Sequence, residues 1–485
     1  MKCPHCQSEV TINHEFCPRC GQRITLAFDD IAASVHVDAA YRRGQRLERT
    51  LKWVILFLIF TGAMMYGIND LWDRELAYDG NDLPPVEAPA AALGDLSEVP
   101  LNYKEVFALR PPEGLPPRGY AWRMGALRNA LRASNGGRAE GAEAIDRGLR
   151  YMMRLQQPDG SWLVNTEGLN IDKARDEAFN FKWGQTGLTA LCLMAYLGEG
   201  HLWTPDVQGQ TSTYASNVKR GLEFLLKSQD PLNGRFGPPE GNFMYNHGLA
   251  TLAVSEAAAL SGAPDLRAAA QKGVDLIERT QGEKGGWGYR DVAGARQDTS
   301  VSAWQVQALL AAREAGLKVN DEVLQKALGY YQAATDAQAG IVSYDFTDRQ
   351  VRPSLFGVAL MLRLYLGEAV TTPDVRWLTR MTAQTAPTWK RGWGRSWKEG
   401  RTRGVDDTER ATTFDPYRWY FATYGLFFAG GEEWEPWDGA LRDALINLQD
   451  GDGAWRANDI WSVKAGPAYS TSMCILCLQV HYRLQ

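Results

Sequence analysis

Arg147-Gly148-Leu149-Arg150-Tyr151-Met152-Met153-Arg154-Leu155-Gln156-Gln157-Pro158-Asp159-Gly160-Ser161-Trp162 is the stretch on which the fold turns. Leu149, Met152, Met153 and Leu155 recur at helical spacing, and Pro158-Asp159-Gly160 ends the helix with turn chemistry ahead of an aromatic. The same order returns downstream. Lys219-Arg220-Gly221-Leu222-Glu223-Phe224-Leu225 leads to Gln229 and, past Gly234, to Phe236. Lys272-Gly273-Val274-Asp275-Leu276-Ile277 leads to Gln281, Gly285-Gly286 and Trp287. Leu441 to Leu448 leads to Gln449, Gly453 and Trp455, and weaker copies lie at Lys326 to Gly340 and Trp377 to Trp393. Six copies about fifty to seventy residues apart are a repeat architecture. A Gln at a helix end can satisfy backbone groups at the start of the next helix while an aromatic packs over it, so the pattern speaks for architecture more than chemistry.

Behind each copy comes a second helix that is apolar nearly all round: 184–197, 245–260, 298–312, 353–366, 416–429 and 470–482. Small residues dominate their first turns, which suits tight inner packing. Six outer helices alternating with six inner ones, and no strand-rich segment, predict an all-α (α/α)6 toroid over residues 119–485.

The Gln-Gly-Trp repeat resembles the QW motif of squalene-hopene and oxidosqualene cyclases, within the wider group of prenyltransferase- and squalene-cyclase-like repeat proteins. The resemblance runs from about Gly141 to Gln485 and implies a toroid of terpenoid cyclase/protein prenyltransferase type. Those cyclases carry two toroids, and this chain has room for one. Asp298-Thr299-Ser300-Val301-Ser302-Ala303-Trp304, Arg352-Pro353-Ser354 and Tyr417-Arg418-Trp419-Tyr420 look like single-toroid members of the group held behind membrane anchors. For them the resemblance brings a fold and no established reaction.

The enzyme chemistries of the group can be tested on residues. Protonation-initiated cyclisation needs a carboxylic acid kept protonated, the middle Asp of a DxDDTA motif. Gly404-Val405-Asp406-Asp407-Thr408-Glu409 retains two Asp but has Gly for the first, and Arg401, Arg403 and Arg410 around them would lower their pKa values. Ala295-Arg296-Gln297-Asp298-Thr299-Ser300 precedes an inner helix but has Gln297 where the acid belongs, and Asp298 suits an N-cap. Asp298, Asp406 and Asp407 are therefore weak catalytic candidates. No DDxxD run for diphosphate ionisation and no CGEQ thioester motif occurs. Cys192, Cys474 and Cys477 sit in apolar runs as core thiols, and His201 and His247 lack the companions of a prenyltransferase zinc triad. A glycosidase pair drawn from Asp298, Asp345, Asp406, Asp407 and Asp415 would need facing carboxylates that sequence cannot place.

The N-terminus reads differently. Cys3-Pro4-His5-Cys6 and Cys17-Pro18-Arg19-Cys20-Gly21 form two CxxC knuckles, the spacing of a tetrahedral zinc site. A redox CxxC is the alternative, but two knuckles within residues 1–26 favour a zinc ribbon in a reducing compartment, its closed thiolate set making the zinc structural. Trp53 to Ile68 carries no charge and follows a basic segment, so residues 51–70 read as one transmembrane helix; a buried core helix is the alternative. Basic residues before it and Asp70, Asp73, Glu75, Asp79 and Asp82 after it place the N-terminus in the cytoplasm and the toroid outside it, in the periplasm of a bacterium. Residues 79–118 are Pro-rich and read as a linker.

A net charge of −5 gives no basic field, and no nucleic-acid partner is expected. The chain is aromatic-rich, with 17 Trp, 19 Tyr and 16 Phe. Tyr245, Trp304, Tyr417, Trp419, Tyr420 and Tyr469 lie on inner helices, where they either pack the core or line a central cavity. Trp393, Arg395 and Trp397 belong to a Trp/Arg-rich loop at 389–403 that is either a solvated loop or a contact surface. The sequence thus favours a membrane-anchored toroid acting as a binding or scaffold module for a protein partner or hydrophobic ligand. The alternative is an isoprenoid- or lipid-handling protein. A filled axis would favour the first, and an aromatic-lined cavity with an acid at its end the second.

Overall fold

The structure, a computed structural model, describes residues 118–164, 184–204, 211–291, 296–348, 350–387, 414–457 and 459–483. The expected zinc ribbon with Cys3, Cys6, Cys17 and Cys20, the expected membrane helix and most of the linker lie outside the described residues. So do Trp393, Arg395, Trp397, Asp406 and Asp407. Among the described residues no helix is long and apolar enough to cross a membrane.

Two short helices, α1 (Arg118–Ala121) and α2 (Gly125–Ser134), precede the repeats. The outer helices are α3 (Ala139–Leu155), α5 (Ala215–Lys227), α7 (Pro264–Arg279), α9 (Asp321–Ala334), α11 (Pro373–Ala383) and α13 (Trp434–Leu448). Between them run the inner helices α4 (Gln185–Gly198), α6 (Phe243–Ser261), α8 (Thr299–Glu314), α10 (Pro353–Tyr365), α12 (Pro416–Ala429) and, after a short α14 (Ile460–Ala465), α15 (Pro467–Leu478). The sixth inner helix stops at Leu478 rather than reaching Tyr482 as the apolar pattern suggested.

Burial follows the two patterns. Helix α3 buries Gly141, Ala144, Ile145, Gly148, Leu149 and Met152, a stripe at three-four spacing. Helix α4 buries every residue from Thr186 to Gly198. Each inner helix packs on the next, from α4 through α6, α8, α10 and α12 to α15, and α15 returns to α4. The inner ring is closed. Outside it, α5 lies on α4, α7 on α6, α9 on α8, α11 on α10, α13 on α12 and α3 on α15.

The repeated Gln is the pin between outer helices. Gln156 Nε2 donates to Gly160 O in its own turn and to Asn217 O on α5, both at 2.9 Å. Gln229 does the same to Gly234 O and Ala269 O, and Gln281 to Gly285 O and Val323 O. Gln449 closes the circle, donating to Gly453 O and, at 2.8 Å, to Ala144 O on α3. The glycine of the motif is forced twice over: Gly160 has φ +91° and Gly453 φ +94°, and a Cβ on either would strike the carbonyl of Arg220 or Arg147 on the next outer helix. The Trp indoles return to their own helices, Trp162 Nε1 to Met152 O, Trp287 Nε1 to Ile277 O and Trp455 Nε1 to Leu445 O.

The weaker copy after α9 has decayed. It lacks the Gln, and a two-stranded pairing of β1 (Thr335–Asp336) with β2 (Ile341–Val342) takes its place. Gly340 keeps a positive φ of 73° but faces open space.

The segment around α1 and the residues after α15 seal the end of the ring where inner helices finish. Glu256, near the C-terminus of α6, is fully buried between Arg123 and Arg483. Arg483 Nη2 reaches both carboxylate oxygens at 2.7 Å, and Arg123 reaches both at 3.1 Å. Arg483 Nη1 also donates to Met194 O on α4, and Tyr120 Oη to Ala311 O on α8. Inside the ring, Trp304 of α8 stacks on Tyr420 of α12 at 5.6 Å, and Tyr420 Oη donates to Gln307 Oε1. Because α10 stands between α8 and α12 in the ring, this stack fills part of the axis.

Candidate functional site

Titratable and aromatic side chains gather at the opposite end, where inner helices begin. Asp298 caps α8: its Oδ1 accepts from Ser300 N at 2.7 Å and Val301 N at 2.9 Å. Its other oxygen takes the Tyr289 hydroxyl at 2.7 Å, and Tyr344 bonds both Tyr289 and the carboxyl. Burial pushes the Asp298 carboxyl above the ordinary range, while these tyrosine and amide donors oppose it. Its Oδ1 thus holds the start of α8, and its Oδ2 belongs to a buried tyrosine network.

Gln297, in the place of the missing acid, is also structural. Its Oε1 accepts from Gly286 N at 2.7 Å and braces the turn ahead of Trp287. His247 has both ring nitrogens on backbone, Nδ1 accepting from Phe236 N and Nε2 meeting Gly273 O, and burial lowers it to about 3. It fills the place that Thr189, Ser302 and Thr471 fill beneath Trp162, Trp287 and Trp455. Burial pushes the thiols of Cys192, Cys474 and Cys477 up. Asp345 is engaged by Thr347 N, Asp348 N and an ion pair from Arg296.

The six inner-helix aromatics divide. Trp304, Trp419 and Tyr420 are buried in packing, Trp419 stacked on Phe414 at 4.9 Å. Tyr245, Tyr417 and Tyr469 are half-buried at the helix starts. Tyr245 lies 6.1 Å from Tyr289, and the hydroxyl of Tyr417 senses Asp298, Tyr344 and Asp415.

Two carboxyls here have no counterpart in a cyclase motif. Asp415 caps α12, its Oδ1 accepting from Arg418 N at 3.0 Å, and burial raises it. Asp459 caps α14 through Trp461 N and Ser462 N, and its buried carboxyl also has the Ser462 side chain beside it. Burial, and then the neighbouring Asp415, push Asp459 up to about 7. Sequence reading passed over Asp459. Its one signal was an Asp just ahead of a helical run, a pattern shared by every N-cap. Arg418, on the first turn of α12, is 4 % exposed.

Residues 206–357, about a third of the chain, match the model of the squalene-hopene cyclase C-terminal domain. A squalene-hopene cyclase of Bradyrhizobium diazoefficiens is 29% identical over 187 residues, covering 35% of this chain and 26% of that protein. The chain thus spans about a quarter of the curated relative it matches. Among solved structures, a GH76A alpha-1,6-mannanase from Salegentibacter covers 71% of this chain and 100% of its own at TM-score 0.47 and 10% identity. A type II terpene cyclase, MstE from Scytonema, covers 71% and 98% at TM-score 0.44 and 11% identity. Taken with the closed ring and its Gln pins, the sequence matches describe a squalene-cyclase-like helical toroid.

Proposed function

We propose that this toroid is a binding or scaffold module whose working face is the end where the inner helices begin. The observation that carries this reading is what occupies the ring: Trp304 stacked on Tyr420 fills part of its axis, and the Arg123–Glu256–Arg483 cluster lies across its far end. A catalyst that folds a long polyisoprene needs that volume. What remains at the near end is a floor of half-buried tyrosines and capping carboxylates, suited to recognition. The chain would present this face outside the cytoplasm, tethered by residues 51–70, with zinc held by Cys3, Cys6, Cys17 and Cys20 on the cytoplasmic side.

A second reading, an isoprenoid- or lipid-handling protein, draws support from the cyclase match and from Asp459, a carboxyl that burial and then the neighbouring Asp415 push up to about 7. Photocrosslinking on the full-length protein in its own membranes separates the two. A photoreactive residue replacing Trp461, which is 49 % exposed beside Asp459, should give one adduct of defined mass, while the same residue replacing Ile446 on the outer helix α13 should not. Turnover of an isoprenoid that is lost in Asp459→Asn would replace the module reading with an enzyme.

A further inference from the structure

Residues 118–138 carry Arg118, Arg123, Arg128, Arg132 and Arg138 and no Asp or Glu. Two of these are matched from elsewhere in the ring, Arg123 by Glu256 and Arg128 by Glu199. Arg132 and Arg138 are not. Arg132 donates to Asn129 Oδ1 at 3.2 Å, and neither side chain forms an ion pair among the described residues.

Both border one crevice. It lies between the end of α2, the start of α3, α13 and the residues after α15, and its volume of about 10 Å³ has room for one water-sized group. Arg132, Arg138, Arg442 and His481 form its polar wall, with Gly141 and Ala142 of α3 beside them. Arg138 is exposed, so the crevice opens to solvent on that side. Asp438 on α13 does not line it. That carboxylate takes Arg442 Nη2 at 2.8 Å on one oxygen, and its other oxygen lies 3.3 Å from His481 Nε2. It compensates one positive charge, which leaves Arg132 and Arg138 in excess. Arg442 Nε stays buried without a hydrogen-bond partner.

The backbone adds to the same field. Arg138 is the N-cap of α3 and makes no side-chain cap bond, because a guanidinium has no acceptor to offer the first-turn amides. Cations therefore crowd the positive end of a helix dipole, where an anion is favoured. Glu140, the acid of that first turn, is exposed and is not part of the wall.

We propose that this crevice binds a phosphate group, one oxygen seated in it and the others held by Arg132 and Arg138. The three guanidiniums come from three different elements, and a tetrahedral oxyanion can offer an oxygen to each as well as to the α3 amides; a carboxylate has only two. Free phosphate and a lipid headgroup share this chemistry. The site sits where α3 begins and α15 has finished, opposite the working face, and does not depend on the reading of that face.

The test uses the full-length protein in detergent, by calorimetric titration and thermal unfolding. The probes are sodium phosphate and a short-chain phosphatidylglycerol, each against sodium chloride at equal ionic strength. Wild type should bind at least one of them saturably; tighter binding of phosphate marks a free anion, and tighter binding of the phosphatidylglycerol marks a headgroup. Replacing two surface arginines together, Arg132→Gln with Arg138→Gln, should weaken binding about tenfold or more. Arg150→Gln, also exposed on α3 but paired with Asp146, should bind as wild type does. Gly141→Ala probes the crevice without touching charge. Its Cβ meets only Leu478 Cδ2, at 3.9 Å, so the helix should keep its stability while the methyl narrows the crevice and weakens binding. The proposal is overturned if neither probe binds wild type saturably, or if the arginine double variant binds as tightly as wild type. Should that variant fail to fold, Gly141→Ala decides alone, and unchanged affinity there overturns it.

Discussion

Replacing Glu256 by Gln removes one charge and leaves the shape intact. In the folded protein that charge is shared by two buried guanidiniums through contacts of 2.7 to 3.1 Å. Gln offers one acceptor where the carboxylate offers two, so Arg123 and Arg483 would face each other across an uncharged group in a water-poor setting. Breaking a buried pair costs about 3 to 5 kcal/mol, and with two arginines stranded the upper part of that range applies. A domain of about 360 residues loses about 1.3 °C per kcal/mol, so the midpoint should fall by about 5 to 7 °C in calorimetry or circular dichroism. Replacing all three residues together by Met should be nearly neutral, because the cost lies in stranding charge rather than in losing the pair. A Glu256→Gln loss below about 1 kcal/mol would refute the reasoning, since it would mean that the ring's far end is wet and that Arg123 and Arg483 do not seal it.

Asp459→Asn keeps the N-cap and removes the acid. Because the folded pKa lies near 7, above the ordinary 3.8, wild-type stability is fully present below about pH 4, falls as pH rises through 7, and is flat above it. Thermal scans should show Asn and Asp alike near pH 4 and Asn the more stable by up to about 4 kcal/mol above pH 8; a gap independent of pH would contradict the burial. Gly453→Ala should destabilise more than Gln449→Ala, since Ala must adopt φ near +94° and meet Arg147 O, while the Gln change loses two hydrogen bonds to backbone worth about 1 kcal/mol each and two exposed ones from Arg147; urea unfolding of both variants gives the order. Metal analysis of the full-length chain should find one zinc, lost on Cys17→Ser; a metal content unchanged by that substitution would remove the ribbon assignment.

The repeat was legible because its parts are local and obligatory. Gln156 reaches its own turn and the next helix, Gly160 tolerates no Cβ, and each requirement leaves a residue type at a fixed offset. Inner helices were legible from apolarity, which is why five of six matched closely and the tail beyond Leu478 did not. The Glu256 cluster went unread because its members are separated by 133 and 227 positions. The trace was there, a lone carboxylate amid Leu252-Ala253-Val254-Ser255 and Ala257-Ala258-Ala259 in an otherwise apolar helix. Asp298 shows the reverse: the N-cap was readable, and the tyrosines that occupy its second oxygen were not.

A toroid whose axis is occupied by its own aromatics, with recognition at the inner-helix starts, has no room for a polyisoprene. Native mass spectrometry with lipid extraction, on the full-length protein taken from its own membranes, is the decisive measurement. It should find no isoprenoid inside the toroid, and a protein partner or small ligand retained instead. A stoichiometric polyisoprene would contradict that reading and make the ring a lipid-holding cavity.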